Sequence, residues 1–166
     1  MLVPIAAVVL VALAVGIWAY TGPIADARAR DRAERAEAAA EAAEATRLEV
    51  CEDELQESYD SLSELDSRLD VGVTQSDFGG FVGDAQVLFD QIDSDVVEAN
   101  SCAAYEEMEA AIAIYIATNS AWNDCIFDDY CDPDTDLSLG SDWVTASEHL
   151  DRAADGGLGR ADGEPA

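Results

Sequence analysis

The chain has 166 residues, and its 36 acidic residues against 8 basic ones, all arginine, give it a formal net charge of −28. This length allows one domain with attached segments, because a compact domain usually takes roughly 100 to 150 residues. The negative charge repels nucleic-acid phosphates and anionic lipid headgroups, so we expect no nucleic-acid partner. The charge favours cations or basic partners instead, although it would serve equally to keep the domain soluble.

An uncharged segment opens the chain, and we predict that residues 1–22 form a transmembrane anchor. Residues 2–20 contain no charged side chain, and as a helix they would extend roughly 28 Å, the thickness of a bilayer core. Trp18 and Tyr20 lie at its far end, where aromatic rings prefer the headgroup level, and Pro23 follows. The alternative is a cleaved signal peptide, with Ala25-Asp26-Ala27 as a small-residue cleavage site.

Residues 23–46 are mostly Ala, Glu and Arg, which favour helix, and they predict a helical stalk. Alanines recur at spacings of three and four. This pattern would suit a coiled-coil seam between two chains, but alanine methyl groups bury little area, so a solvated single helix is the preferred interpretation. The alanine positions are Ala29, Ala33, Ala36, Ala40 and Ala43.

Residues 47–153 show helical periodicity and predict an acidic, antiparallel bundle of three to four helices, which makes the protein all-α. We expect helices over about 48–69 and 78–97, a third helix after Asn100 and a short fourth helix over about 139–153. Ser76 or Asp77 should cap the second, and the third should be the most buried. Residues 128–136 predict an acidic loop, and 154–166 a disordered tail. The residues expected to face inward are Leu48, Cys51, Leu55, Tyr59, Leu62, Leu65, Leu69, Phe78, Phe81, Val82, Ala85, Leu88, Phe89, Ile92, Val96, Tyr105, Met108, Ala111, Ile112, Tyr115, Ile116, Trp122, Leu139, Trp143, Ala146, Leu150 and Ala153, with Ile114 on a flank.

The four cysteines predict two disulfides. If the first two helices form a hairpin, Cys51 and Cys102 both lie at the end opposite its turn. The third helix then carries Cys125 and Cys131 beyond disulfide reach of the first pair. We therefore predict Cys51–Cys102 and Cys125–Cys131 disulfides. Free buried thiols and a zinc site are the alternatives, but the cysteine spacing lacks the close doublets that zinc normally uses.

The disulfides also indicate the compartment, because structural disulfides persist outside the reducing cytosol. We therefore predict a single-pass cell-membrane protein with an extracytoplasmic domain. Four arginines after the anchor oppose this orientation, because positive charge tends to stay in the cytoplasm. A cytoplasmic domain is thus the alternative. These arginines are Arg28, Arg30, Arg32 and Arg35.

We expect no catalytic residues and no cofactor. His149 is the single histidine, and its position near a helix end suits an interaction with the helix dipole. Asp132, Asp134 and Asp136 resemble the opening of a calcium loop, but Leu137 stands where that loop needs glycine and Trp143 where it needs glutamate. These aspartates are weak calcium candidates, and a solvated loop is the simpler interpretation.

Two stretches resemble a domain of uncharacterised envelope proteins from high-GC Gram-positive, actinobacterial bacteria. They are Leu69–Val73 with Phe81–Asp84, followed by Trp122, Cys125, Cys131, Trp143 and Ala146. The resemblance covers about residues 47–153 and carries no activity or binding residue.

The sequence thus predicts a non-enzymatic, membrane-tethered interaction or structural module of the cell envelope, with a protein or cell-wall partner. The alternative is a domain that binds calcium or a small ligand through the acidic loop, or through an aromatic pocket between Trp122 and Trp143. An enzyme is the third possibility. Calcium titration separates the first two, because a specific site would raise the melting temperature.

Overall fold

The computed structural model describes the backbone of residues 3–127 and 133–158, and the side chains of residues 26–127 and 139–158. Its helices are α1 (Val3–Val71), α2 (Gln75–Phe89), α3 (Ser94–Asn100), α4 (Ala103–Phe127) and α5 (Pro133–Asp155). Over these ranges the protein contains no strand, which confirms the all-α prediction. The chain divides into two compact units, residues 1–46 and residues 47–166.

The first unit contains the N-terminal part of α1. The side chains of residues 26–46 are exposed, as a solvated stalk requires. The predicted anchor at residues 2–20 lies outside the residues whose side chains are described. Within the described part of the chain, no helix is both long enough and apolar enough to cross a membrane. The anchor therefore stays a prediction.

The second unit is a bundle with alternating helix directions. The Cys51–Cys102 disulfide and the hydrogen bond from Tyr115 to Asp66 show that α1 and α4 run parallel, because both contacts advance along the two helices together. Helix α2 runs antiparallel to α4: Gln75 near the start of α2 bonds Asn123 near the end of α4. The predicted hairpin of α1 with the following helix is therefore confirmed.

Helix α5 completes the bundle by running antiparallel to α1 and α4. Ser147 on α5 donates to Asp66, and His149 lies next to Glu107 on α4. The helix directions thus alternate from α1 to α2, α4 and α5, and α4 packs against both α2 and α5. The order places Cys51, Cys102 and the end of α5 together.

The core is formed by apolar side chains at helical spacing on the four longer helices, and α4 contributes the most buried residues of any helix in the described part of the chain. Tyr115, Phe78, Leu55, Leu62, Leu65 and Met108 are the largest apolar or aromatic side chains that are almost fully buried within α1, α2 and α4. Burying a side chain of this size contributes roughly 1.5 to 3 kcal/mol. The inward positions predicted for α5, namely Leu139, Ala146, Leu150 and Ala153, are buried as expected.

The predicted helix over 78–97 was wrong, because the chain breaks there into α2 and the short α3. The Asp93 carboxylate accepts hydrogen bonds from the backbone N–H groups of Asp95 and Val96, which starts a new helix. The N-cap of α2 is Thr74 and not Ser76 or Asp77; its hydroxyl accepts from the Asp77 N–H group. In α3 the buried valine is Val97, whereas the prediction named Val96.

Three other expectations need correction. Leu48 and Ile116 are exposed by 38% and 37%, whereas Ile114 packs against the core, because a regular pattern does not reveal which edge of a helical face a neighbour covers. The ordered domain does not end at 153: α5 continues to Asp155, and Leu158 is 1% exposed. Gly157, with φ +122°, permits the turn that returns Leu158 to the core. Residues 159–166 lie outside the described range.

Candidate binding groove

An aromatic cluster supports one side of the bundle. The Phe78 ring lies 5.7 Å from Trp122, 5.8 Å from Trp143 and 6.4 Å from Tyr115, measured between ring centroids. Trp122 and Trp143 are themselves 5.7 Å apart. These spacings correspond to direct ring packing. The rings therefore contact each other, and no open pocket separates Trp122 from Trp143 as the sequence had suggested.

Asp66 links three helices above this cluster. Its Oδ1 accepts a hydrogen bond from the Tyr115 hydroxyl at 2.9 Å, and its Oδ2 accepts one from the Ser147 hydroxyl at 3.1 Å. Burial, the negative charges of Asp66 and Asp70, and the hydrogen bond to Asp66 together raise the pKa of Tyr115 far above its ordinary value. Tyr115 therefore keeps its proton near neutral pH and acts as a hydrogen-bond donor.

A groove of about 360 Å³ lies beside this node, between α1 and α5. Asp66, Asp70, Glu148 and Asp151 provide its carboxylates, and the described residues that line it include no arginine. The apolar part of its wall consists of Leu69, Gly140, Trp143 and Val144. The groove thus combines apolar surface with concentrated negative charge.

Two features mark the apolar wall as accessible. Val144 is 60% exposed, and a Cβ placed on Gly140 would meet no atom within 4 Å. The indole Nε1 of Trp143 is buried and finds no hydrogen-bond partner within the part of the chain that the structure describes. A buried donor without a partner is costly, and the packing of this ring against Phe78 and Trp122 offsets that cost.

A second, more open groove of about 780 Å³ follows α3 and the start of α4, and it is also acidic. Glu107, which lines this groove, contacts two side chains of α5. Its Oε2 atom lies 2.6 Å from His149 Nδ1 and 2.9 Å from Arg152 Nε. Hydrogen bonds from His149 and Arg152 hold the pKa of Glu107 below its usual value. The histidine thus makes a tertiary contact with Glu107 on α4, which its position near a helix end did not reveal.

The structure brings some predicted site residues together and leaves others undescribed. Cys51 and Cys102 form a disulfide, which confirms that pair. Cys125 is also disulfide-bonded, but Cys131 lies outside the described residues. Asp132 does too, as do the side chains of Asp134 and Asp136.

The calcium prediction consequently stays untested, although one part of it needs correction. Helix α5 begins at Pro133, so the second half of the predicted loop 128–136 is helical. Pro suits the first position of a helix, because its missing N–H group would have no helical partner there. Within the described ranges, no group of three or more histidine, cysteine or acidic side chains is arranged to hold a metal ion.

The residues that matter most in the groove were not found from the sequence. Asp66 is separated from Tyr115 by 49 positions and from Ser147 by 81 positions. Among 36 acidic residues, no local pattern distinguishes it. A weak signal existed in the polar Ser147 one position after the buried Ala146, which places a hydroxyl at the edge of the inward face.

Comparisons of this chain with protein-family models, curated proteins and solved structures found no match.

Proposed function

We propose that this protein is a non-enzymatic, membrane-tethered module of the cell envelope, whose extracytoplasmic acidic bundle binds a basic segment of a partner protein. The observation that supports the binding role is the groove beside Trp143, in which four carboxylates line an accessible apolar wall. A basic side chain has both parts that such a groove accommodates, an apolar stem and a charged head.

The tethered, extracytoplasmic part of the proposal rests on the N-terminal residues and the disulfides. Residues 2–20 are free of charge, and α1 is continuous from Val3 to Val71. The Cys51–Cys102 disulfide supports an oxidising compartment. Maleimide applied to intact cells should leave all four cysteines unmodified until a reductant is added. Labelling without reductant, in permeabilised cells only, would place the domain in the cytoplasm.

Binding is tested with the full chain in mild detergent and a pair of synthetic peptides, one rich in arginine and one with glutamate at the same positions. The groove variant Asp70→Asn with Asp151→Asn removes two lining carboxylates. The control variant Glu57→Gln with Asp142→Asn removes two exposed carboxylates from the same helices, and neither of them lines the groove. Both variants therefore change net charge equally.

We expect the groove variant to weaken binding of the arginine peptide roughly tenfold and the control to change it less than about twofold, since exposed charges away from a site are screened. The glutamate peptide should not bind. Equal losses in both variants would show that overall charge, and not the groove, attracts the peptide. Undiminished binding by the groove variant would refute the groove as the site.

The alternative candidate remains calcium or small-ligand binding through residues 128–136. A calcium site would raise the melting temperature at calcium concentrations well above its dissociation constant. A protein-binding bundle would show no such shift.

A further inference from the structure

The Cys51–Cys102 disulfide borders a cavity of about 130 Å³, and both cysteines line it. Arg47 and Leu48 of α1, Ala103 of α4 and Leu158 beyond α5 contribute to the remaining wall. Leu48 and Ala103 are exposed to solvent at the rim. A cavity of this order accommodates a molecule of a few heavy atoms, since an engineered cavity of ~150 Å³ binds benzene. A solute of that size would therefore fit beside the disulfide.

The two cysteines occupy different positions relative to their own helices. Cys102 immediately precedes α4, and its carbonyl oxygen accepts from the Tyr105 N–H group at 3.1 Å. The start of a long helix stabilises a thiolate through its exposed N–H groups and dipole. Cys51, by contrast, lies in the interior of α1, away from the ends of its own helix.

Arg47, about one helical turn before Cys51 on α1, adds positive charge near the disulfide. Its Nη1 donates to the backbone oxygens of Asn100 at 2.8 Å and Ser101 at 3.1 Å, which fixes the guanidinium next to the residues that lead into Cys102. A nearby cation favours the thiolate form of a cysteine. A thiolate that is more stable is also a better leaving group in thiol–disulfide exchange.

We propose that Cys51–Cys102 is an exchange site for a low-molecular-weight thiol, which forms a mixed disulfide with Cys51 while Cys102 departs as a thiolate. The thiolate of the small molecule attacks Cys51 Sγ, a new sulfur–sulfur bond forms there, and the electron pair of the broken bond goes to Cys102 Sγ. A second small thiolate then attacks the mixed disulfide, releases the oxidised small disulfide and leaves Cys51 as a thiolate. Two thiols thereby supply the two electrons that reduce the protein.

Exchange at this disulfide would make the stability of the bundle depend on the concentration of small thiols. The disulfide fixes the start of α4 to α1, so its opening removes a covalent constraint across 51 positions of sequence. This inference does not depend on the groove or on the proposed basic partner.

The first test treats the folded full chain with 2-mercaptoethanol or with glutathione at equal thiolate concentration, followed by an iodoacetamide quench and peptide mass mapping. We expect the adduct on Cys51 and the alkylated thiol on Cys102. The smaller reagent should react roughly tenfold faster, because it fits the cavity and the larger one does not. An adduct on Cys102, or equal rates for both reagents, would overturn the proposal.

The second test distinguishes attack on the folded protein from attack after unfolding. The exchange rate is measured in urea below the unfolding transition. A rate that is independent of urea supports attack through the cavity. A rate that rises with urea as steeply as the unfolding equilibrium would mean that exchange requires global unfolding, and it would refute the site.

A matched pair of variants tests whether the small thiol reaches the disulfide through this cavity. Ala103→Leu narrows the cavity, whereas Ala113→Leu makes the same change at an exposed position on α4 that does not line it. We expect slower exchange, about tenfold, in the first variant and an unchanged rate in the second. The same rate in both would show that the thiol does not pass through this cavity.

Discussion

The two ends of the bundle differ: a disulfide links the helices at one end, and aromatic rings pack between them at the other. At the disulfide end, defined here by Cys51, Cys102 and Leu158, the neighbouring buried residues Ala104 and Ala153 are small. At the aromatic end, defined by Phe78, Tyr115, Trp122 and Trp143, large rings pack between α2, α4 and α5. The first end thus combines alanines with aliphatic side chains such as Leu158, whereas large aromatic rings fill the second end.

This difference shows two ways of stabilising a small core. Alanines let the helices approach closely but contribute little transfer free energy, so a covalent link compensates at the disulfide end. The aromatic end gains its stability from buried ring area and can therefore expose a groove on its flank. Both contributions are large compared with the net stability of a typical domain, which is about 5 to 15 kcal/mol.

The largest expected effect concerns the disulfide end. Replacing Cys51 and Cys102 by Ala should cost ~4 kcal/mol of unfolding free energy, since the disulfide closes a long loop, whereas replacing Cys125 and Cys131 should cost ~2 kcal/mol. Urea midpoints of both double variants, measured beside the parent, give the ranking. A larger loss from the Cys125 and Cys131 variant would reverse the comparison, and peptide mapping under non-reducing conditions must first verify both pairs.

A slightly smaller effect is expected at the aromatic end. Phe78→Ala should cost about 3 kcal/mol, because it removes a buried ring that contacts three other aromatic side chains. Phe89→Ala is the matched control: that ring is half-buried and stacks on Tyr105 alone among the described aromatic side chains. Chemical denaturation should rank the first loss above the second. The reverse ranking would mean that the cluster does not organise this end.

The Tyr115–Asp66 hydrogen bond should make the protein sensitive to alkali. The unfolded chain releases the Tyr115 proton near pH 10.0, whereas the folded chain keeps it because its pKa is raised. The unfolded state therefore binds fewer protons above that pH, and the unfolding free energy should fall by ~1.4 kcal/mol per pH unit. Tyr115→Phe should remove this slope while leaving the stability at pH 7 lower by about 1 kcal/mol.

The alkaline comparison is made by urea denaturation between pH 9 and 11, roughly the range in which free tyrosine titrates. Tyr105→Phe is a suitable control, because no described contact links its hydroxyl to a carboxylate. An identical alkaline slope in the parent and in Tyr115→Phe would show that another group controls this behaviour.

The smallest effect is expected from Glu107. Its pKa is lowered in the folded protein, so its contribution to stability is present above the ordinary value of 4.5 and is lost as the pH falls through the folded value. Glu107→Gln should lower stability slightly at neutral pH, where the contribution of the carboxylate is present, and should flatten the loss of stability below about pH 4.5. The control Glu106→Gln, at an exposed neighbouring position, should keep the acid limb of the parent.

The sequence predicted the disulfide end better than the aromatic end. Cys51 and Cys102 could be paired because helix lengths alone bring them to one end of a hairpin, and those lengths follow from local periodicity. The sequence could indicate that Trp122 and Trp143 lie near each other, but not that their rings are in contact. Ring packing depends on side-chain rotamers and on the exact rotation of each helix about its axis. The break at Asp93 was missed because the apolar spacing continues through it, and the capping hydrogen bonds prevailed over that pattern.

By itself, the sequence determined that the described protein is helical and which cysteines meet at the disulfide end. Those properties depend on side-chain spacing within one helix, which is a local quantity. Only the tertiary structure decided that Asp66 accepts hydrogen bonds from Tyr115 and Ser147. It also decided that Glu107 contacts His149 and Arg152. The same holds for the burial of Leu158 in the core. Each of these contacts joins residues far apart in the chain, and their choice among many equivalent partners depends on how the helices rotate and pack against one another.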